Sequence, residues 1–188
     1  MEKRFKRLSF PEIVIFTPKI FIDNRGWFFE NFNSDLFANQ IGVIFEVLQE
    51  NISYSRKNVL RGLHYQKGKH AQSKLIHVVK GSILDVIVDI RPNSKNFGKW
   101  ISYFLNGKNN ESIFIPAGFA HGFLGLSNFT RISYKVNKLY NKDSEYSILW
   151  NDKKLGIEWA INDPILSEKD KMAQTFEENY KKGNFLTI

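Results

Sequence analysis

The stretch Leu84-Asp85-Val86-Ile87-Val88-Asp89-Ile90 sets the fold class of this chain. Side chains of a strand alternate between faces, so Leu84, Val86, Val88 and Ile90 fall together on one apolar face. Leu75 to Val79, Ile113 to Ile115 and Arg131 to Val136 read as further strands. Turn signals separate them: Asp23-Asn24-Arg25-Gly26, Gly68, Gly81, Pro92-Asn93-Ser94, Asn106-Gly107 and Pro116-Ala117-Gly118. Short strands divided by frequent turns predict a mainly β protein, a sandwich or barrel. Helical signals are few. Ser34 to Gln40 is expected to form a short helix, capped by Asn33 or Ser34 and closed by Gly42. Ser167 to Lys182 reads as one C-terminal helix ending before Gly183, with Ser167 and Asp170 spaced as in a capping box.

The chain has 188 residues, one domain's worth, and 43% are hydrophobic, enough for a packed core. It has no repeat, linker or low-complexity tract. A single domain over 1–188 is therefore expected, with a barrel core at about 14–160 and a helical segment at about 167–183. With no cysteine, disulfides, thiolate metal sites and cysteine nucleophiles are excluded. No apolar run approaches the roughly 18 residues of a membrane span, and Met1 to Phe10 holds no apolar leader, so a cytoplasmic protein is expected. The net charge of +8 comes from 27 basic and 19 acidic residues spread along the chain. Without a basic block, the excess favours an anionic small molecule such as a diphosphate over nucleic acid. Walker and Rossmann loops are missing, as is the Gly-x-Ser-x-Gly elbow of serine hydrolases.

Four histidines are the first candidates for proton transfer near neutral pH. His64 lies in Val59-Leu60-Arg61-Gly62-Leu63-His64-Tyr65-Gln66, where alternation puts it with Gly62 and Gln66, and Gly62 permits close approach of a ligand or a neighbouring backbone. His121 ends Pro116-Ala117-Gly118-Phe119-Ala120-His121, which resembles the second motif of the cupins, where the histidine binds metal. The first motif here offers His64-Tyr65-Gln66, with Lys74 where an acid is wanted. An ammonium repels a metal ion, so the set predicts acid–base chemistry without metal. His70 and His77 read as loop and strand-surface residues. Lys74 by itself reads most simply as a solvent-facing strand lysine. Tyr134 shares an apolar face with Ile132 and Val136 and reads as a core tyrosine, and Asp170 as a carboxylate at a helix start.

Taken together, these segments resemble a family. Asp23-x-Arg25-Gly26-Trp27-Phe28-Phe29-Glu30, Gln49-x-Asn51, Arg61-Gly62-Leu63-His64-Tyr65-Gln66 and Ala71-Gln72-x-Lys74-Leu75 are joined by Asp85-Val86-x-Val88-Asp89-x-Arg91 and Phe97-Gly98-x-Trp100. Pro116-x-Gly118-Phe119-Ala120-His121-Gly122-Phe123, Tyr134-Lys135, Trp150-Asn151-Asp152 and Leu166-Ser167-x-Lys169-Asp170 follow in order. The pattern is similar to the dTDP-4-dehydrorhamnose 3,5-epimerases over about residues 14 to 170. The resemblance implies a cupin-like jelly-roll barrel, a homodimer, and an isomerase of dTDP-rhamnose biosynthesis that needs no metal or other cofactor. It implies His64 as base, oriented by Asp170, Tyr134 as acid on the opposite face, and Lys74 as stabiliser of the enolate oxygen. Arg25, Glu30, Gln49, Asn51, Arg61, Lys74, His121, Glu145 and Lys169 match positions that hold the nucleotide sugar, and Tyr140 matches the aromatic that stacks on thymine. Glu50 and His77 depart from the pattern, standing where a smaller acid and a basic residue are usual. Inversion at C3 alone, or another nucleotide-linked 4-keto sugar, is the near alternative. A metal-dependent cupin enzyme and a non-catalytic sugar-nucleotide-binding barrel are the distant ones.

Overall fold

The computed structural model describes residues 4–185. In chain order the strands are β1 (Phe5–Arg7), β2 (Val14–Phe16), β3 (Ile20–Asp23), β4 (Gly26–Phe29), β5 (Gln49–Ser55), β6 (Leu60–Gln66) and β7 (Lys74–Lys80). They continue with β8 (Ser82–Asp89), β9 (Trp100–Asn106), β10 (Ser112–Ile115), β11 (Phe119–Gly125), β12 (Thr130–Val136) and β13 (Glu145–Ser147). Three α-helices accompany them among the described residues: α1 (Ser34–Ile41), α2 (Glu168–Lys171) and α3 (Phe176–Lys181). A sheet ordered β1-β2-β10-β7-β12-β5 faces one ordered β13-β6-β11-β8-β9, and β3 and β4 form a separate hairpin. This is the mainly β, cupin-like jelly roll expected.

Apolar packing occupies three layers. Between the sheets lie Ile76, Val78, Ile83, Ile87, Ile113, Phe123 and Ile132. Outside the five-stranded sheet, Val86, Val88, Ile90, Leu63 and Tyr65 pack beneath Trp159, Phe176 and Phe185. Strand β8 is therefore buried on both faces: Ile83 and Ile87 fill the barrel while Val86 and Val88, with Ile90 just beyond the strand, meet the C-terminal segment. The single apolar face read from alternation is half of the picture. Outside the six-stranded sheet, α1 lays Phe37 and Ile41 on Val14, Phe16 and Phe114. Asn33 caps α1 by accepting from the Leu36 amide, and Gly42 closes it at φ +73°, in the left-handed region glycine favours.

Three expectations change. The C-terminal helix is two helices: α2 ends at Lys171, Gln174 pairs with Ile148, and Thr175 starts α3 with its own capping box to Glu178. His77 is buried, bonded to Ser112 Oγ at 3.1 Å and packed against Phe29 of the hairpin. Burial pushes its pKa down. Finally, strict alternation fails in β6. Against β11, His64 pairs with His121 but Arg61 pairs with Phe123, so β6 carries an extra residue, a bulge. Both Arg61 and His64 consequently line the same pocket. Gly62 sits in that bulge at φ +121°, where an added Cβ would lie 2.4 Å from Gly122 Cα.

Candidate active site

The pocket opens between the two sheets. It has a volume of about 270 Å³ and is lined by Asn51, Ser53, Arg61, His64, Lys74, His121, Phe123, Tyr134, Val136 and Glu145. Strands β5, β7 and β12 of one sheet supply Asn51, Ser53, Lys74 and Tyr134, and strands β6, β11 and β13 of the other supply Arg61, His64, His121 and Glu145. His64 and Tyr134 thus approach from opposite walls.

His64 Nε2 donates to Asp170 Oδ1 at 2.5 Å, which leaves Nδ1 with its lone pair available as a base. The second Asp170 oxygen accepts from Ser167 Oγ at 2.9 Å, and Ser167 Oγ accepts from the Asp170 amide at 3.1 Å. The spacing that looked like a capping box therefore fixes a carboxylate rather than closing a reciprocal box. Burial alone would raise the pKa of Asp170, but the hydrogen bond and charge of His64, with Ser167 and Lys169, outweigh it and hold the carboxyl below its ordinary value. His64 and Asp170 stand 106 residues apart in the chain.

Lys74 is not solvent-facing. Its alternation with Ile76 and Val78 turns it into the barrel, where Nζ donates to the His64 carbonyl at 3.1 Å. Burial pushes its pKa down to about 8, against the opposing pull of Asp85 and Glu145. Tyr134 Oη lies 3.0 Å from Ser53 Oγ, and burial raises its pKa, so it stays a protonated acid. His121 Nε2 donates to Asp85 Oδ1 at 2.6 Å beneath the pocket. Asp85 is fully buried, and its other oxygen has no protein partner. Nothing in the spacing distinguished Asp85 from the apolar strand around it, or Ser53 from an ordinary strand serine.

At the mouth, Glu145 accepts from Lys169 Nζ at 2.5 Å and from Tyr140 Oη at 3.0 Å. Burial raises Glu145, but these two partners leave it lowered overall. Gln49 joins this rim, with Oε1 accepting from the Tyr140 amide and Nε2 donating to Asn51. Arg25 and Glu30 stand apart. Arg25 is exposed on the β3–β4 hairpin and pairs with Asp23 at 2.6 Å, while Glu30 accepts from Asn33. Neither lines this pocket.

The donor set does not suit a metal ion. Gln66 is taken up by the His70 and Leu139 carbonyls and the Asn141 amide, His121 is tied to Asp85, and the Lys74 ammonium stands between the walls. A histidine held by a carboxylate and a tyrosine on the opposing sheet, with an ammonium beside them, are a set suited to acid–base chemistry in a jelly-roll barrel.

Comparison with known proteins narrows the class. Residues 7–178 match the family model for dTDP-4-dehydrorhamnose 3,5-epimerase. The Shigella flexneri enzyme of that name is 46% identical over 170 residues, covering 90% of this chain and 94% of the relative. Among solved structures, the Legionella pneumophila dTDP-6-deoxy-D-glucose-3,5-epimerase RmlC in complex with dTDP-4-keto-L-rhamnose superposes with a TM-score of 0.92 at 37% identity, covering 98% and 97% of the two chains. ChmJ, a 3'-monoepimerase from Streptomyces bikiniensis in complex with dTDP-quinovose, gives 0.91 at 32% identity, covering 96% and 92%. The chain belongs to the dTDP-4-dehydrorhamnose 3,5-epimerase family.

Proposed function

We propose that this chain, acting as one epimerase domain, inverts C3 and C5 of dTDP-4-keto-6-deoxyglucose to give dTDP-4-keto-rhamnose in deoxysugar synthesis. The observation that carries the proposal is the facing pair His64 and Tyr134 with Lys74 between the same walls. The C4 ketone acidifies the hydrogens on both neighbouring carbons. His64 Nδ1 takes one of them, the C–H electron pair moves into the ring as an enolate, and the negative oxygen meets the Lys74 ammonium. Tyr134 then gives its hydroxyl proton to the same carbon from the opposite face, which inverts it. Asp170 keeps the His64 ring turned and in the Nε2–H tautomer. Arg61 and Lys169 supply positive charge for the diphosphate, and Tyr140 an exposed ring for thymine. A cytoplasmic setting goes with that substrate, since a nucleotide diphosphate does not cross an apolar bilayer unaided. Among the described residues no helix is long and apolar enough to span a membrane.

The protein is further proposed to act as a homodimer. Strand β5 turns Asn51, Ser53 and Ser55 inward and leaves Ile52 and Tyr54 outward, 63% and 51% exposed, beside Phe129 at 57%. The hairpin likewise carries Phe21, Ile22, Trp27 and Phe28 exposed. A second copy covers these apolar groups, and its pocket is where Arg25 and Glu30 of this hairpin find substrate.

The test is NMR of dTDP-4-keto-6-deoxyglucose incubated with the protein in D2O. Deuterium at both C3 and C5, lost with His64→Ala, is expected. Deuterium at C3 alone makes the protein a 3-epimerase, and none at either carbon overturns the assignment for this substrate.

A further inference from the structure

The cations around the pocket differ in what they already hold. Lys169 is paired with Glu145 at 2.5 Å, and Arg25 on the hairpin with Asp23 at 2.6 Å. Lys74 is turned into the barrel, where it donates to the His64 carbonyl. Arg61 also lines the pocket, and among the described residues its bonds go to two neutral acceptors and to no carboxylate. Its Nε donates to Ser55 Oγ at 3.0 Å and its Nη2 to the Tyr54 carbonyl at 3.2 Å.

Both acceptors belong to β5, and the fold explains why they are at hand. β5 ends its sheet, so its backbone keeps carbonyls that no neighbouring strand pairs. The bulge in β6 turns Arg61 inward, toward that edge. Ser55 is 2% exposed, so its hydroxyl is a fixed point. The Tyr54 side chain lies on the outer face, but its carbonyl lies in the plane of the sheet. A second copy covering the outer face therefore leaves both acceptors in place. Nε and Nη2 form one edge of the guanidinium. The other edge, Nη1 with the second hydrogen of Nη2, has no protein acceptor among the described residues. Two parallel N–H groups on such an edge match two oxygens of a phosphate. A carboxylate in place of Ser55 would also hold the arginine, but would cancel the charge that a diphosphate needs.

We propose that Ser55 is a positioning residue for diphosphate recognition: with the Tyr54 carbonyl it forms a neutral seat that turns the free edge of Arg61 toward the diphosphate and leaves its charge intact. The proposal rests on the reading of this pocket as a dTDP-sugar site. Ser55 acts through Arg61 and touches no substrate atom. Without the seat, a long and flexible side chain has to be ordered each time the ligand binds, and affinity falls by that entropy. Proton transfer at His64 and Tyr134 is untouched, since the Ser55 hydroxyl is bonded to Arg61 and to neither of them.

The probe is dTDP, which carries the diphosphate and no reacting ketone. Isothermal titration calorimetry gives its Kd for the unmodified protein, Ser55→Ala, Ser55→Thr, Arg61→Met and the double variant of Ser55→Ala with Arg61→Met. Ser55→Ala is expected to raise Kd about tenfold, the worth of one hydrogen bond to a charged group, and to raise KM for the nucleotide sugar with kcat unchanged. Ser55→Thr keeps the hydroxyl and is expected to bind as the unmodified protein does. Arg61→Met is expected to bind more weakly still, and Ser55→Ala to add nothing to it. A merely structural role would add in full to Arg61→Met and would lower kcat as well; either result overturns the proposal, as does an unchanged Kd for Ser55→Ala. Should threonine not fit the buried position, the cycle decides without it. If the unmodified protein does not bind dTDP, the substrate reading fails and the proposal with it. If Arg61→Met weakens binding and Ser55→Ala does not, only the seat is removed.

Discussion

Replacing Lys74 with methionine takes an ammonium off the pocket wall and keeps an unbranched side chain of similar length. Burial lowers the Lys74 pKa from 10.5 to about 8. At about 1.4 kcal/mol per pH unit, the folded protein carries a penalty of about 3 kcal/mol for holding that charge at pH 7. Below pH 8 the lysine is protonated in both the folded and the unfolded chain, so the penalty is felt in full. Between about 8 and 10.5 the unfolded chain binds more protons than the folded one, so stability rises with pH and the penalty fades. Methionine also forfeits the bond from Nζ to the His64 carbonyl, worth about 1 kcal/mol. Lys74→Met should therefore be about 2 kcal/mol more stable than the unmodified protein at pH 7, with the gap closing toward zero by about pH 9.5. Urea denaturation at the two pH values measures it. Activity should move the other way, falling by about 10²-fold or more as the enolate oxygen loses its cation. A variant no more stable at pH 7, or a gap that does not narrow as pH rises, refutes the placement of a charged lysine in a pocket built for an anion.

Two further outcomes follow from the same geometry. Asp170→Asn should lower kcat by about 10²–10⁴-fold while leaving Tm within a few degrees, because an amide no longer holds the His64 tautomer. The depressed Asp170 pKa adds that the carboxylate's contribution to stability persists above the ordinary range and is lost only as pH falls through the lowered value. Ile52→Lys should convert the protein to a monomer in sedimentation equilibrium, and an unchanged mass would move the dimer contact off the outer face of β5.

The barrel was legible because its strands announce themselves locally. Alternation in β8, the turn residues and the two cupin-like segments lie within a few residues of one another, and Asn33 and Gly42 bracket α1 as their chemistry requires. The site was legible mainly by resemblance, since what matters there is non-local. Lys74 reads as a surface residue until β7 is seen to turn it inward, and His77 until the hairpin is seen to cover it. Asp85 hides in an apolar run. Arg61 and His64 share a face through a bulge that no period of two predicts. Glu50, the odd acid of its segment, faces away from the pocket and bonds Ser133 at 2.5 Å and Lys135 at 2.7 Å, so its departure from the family pattern leaves the site untouched.

The break in the C-terminal helix is the part of the structure that sequence periodicity opposed, and two contacts on opposite faces of β6 explain it. His64 and Tyr65 are neighbours on β6 and face opposite sides of the sheet. His64 needs a partner on the inner side, and Asp170 supplies it from α2. Tyr65 turns its hydroxyl outward to Asn179 of α3 at 3.0 Å, inside the layer formed by Phe176 and Phe185. A straight helix from 167 to 182 would be about 24 Å long and would present one line of contact, so it could not serve both faces of one sheet. The chain instead leaves helical geometry after Lys171, is pinned at Gln174, whose carbonyl accepts from the Leu149 amide at 2.8 Å, and restarts at Thr175. With α3 buried against the barrel wall, α2 is held at the pocket from one side by packing and from the other by Lys169 on Glu145 and Asp170 on His64. The orientation of the His64 ring is thereby secured by the docking of the last helix, about 110 residues further along the chain.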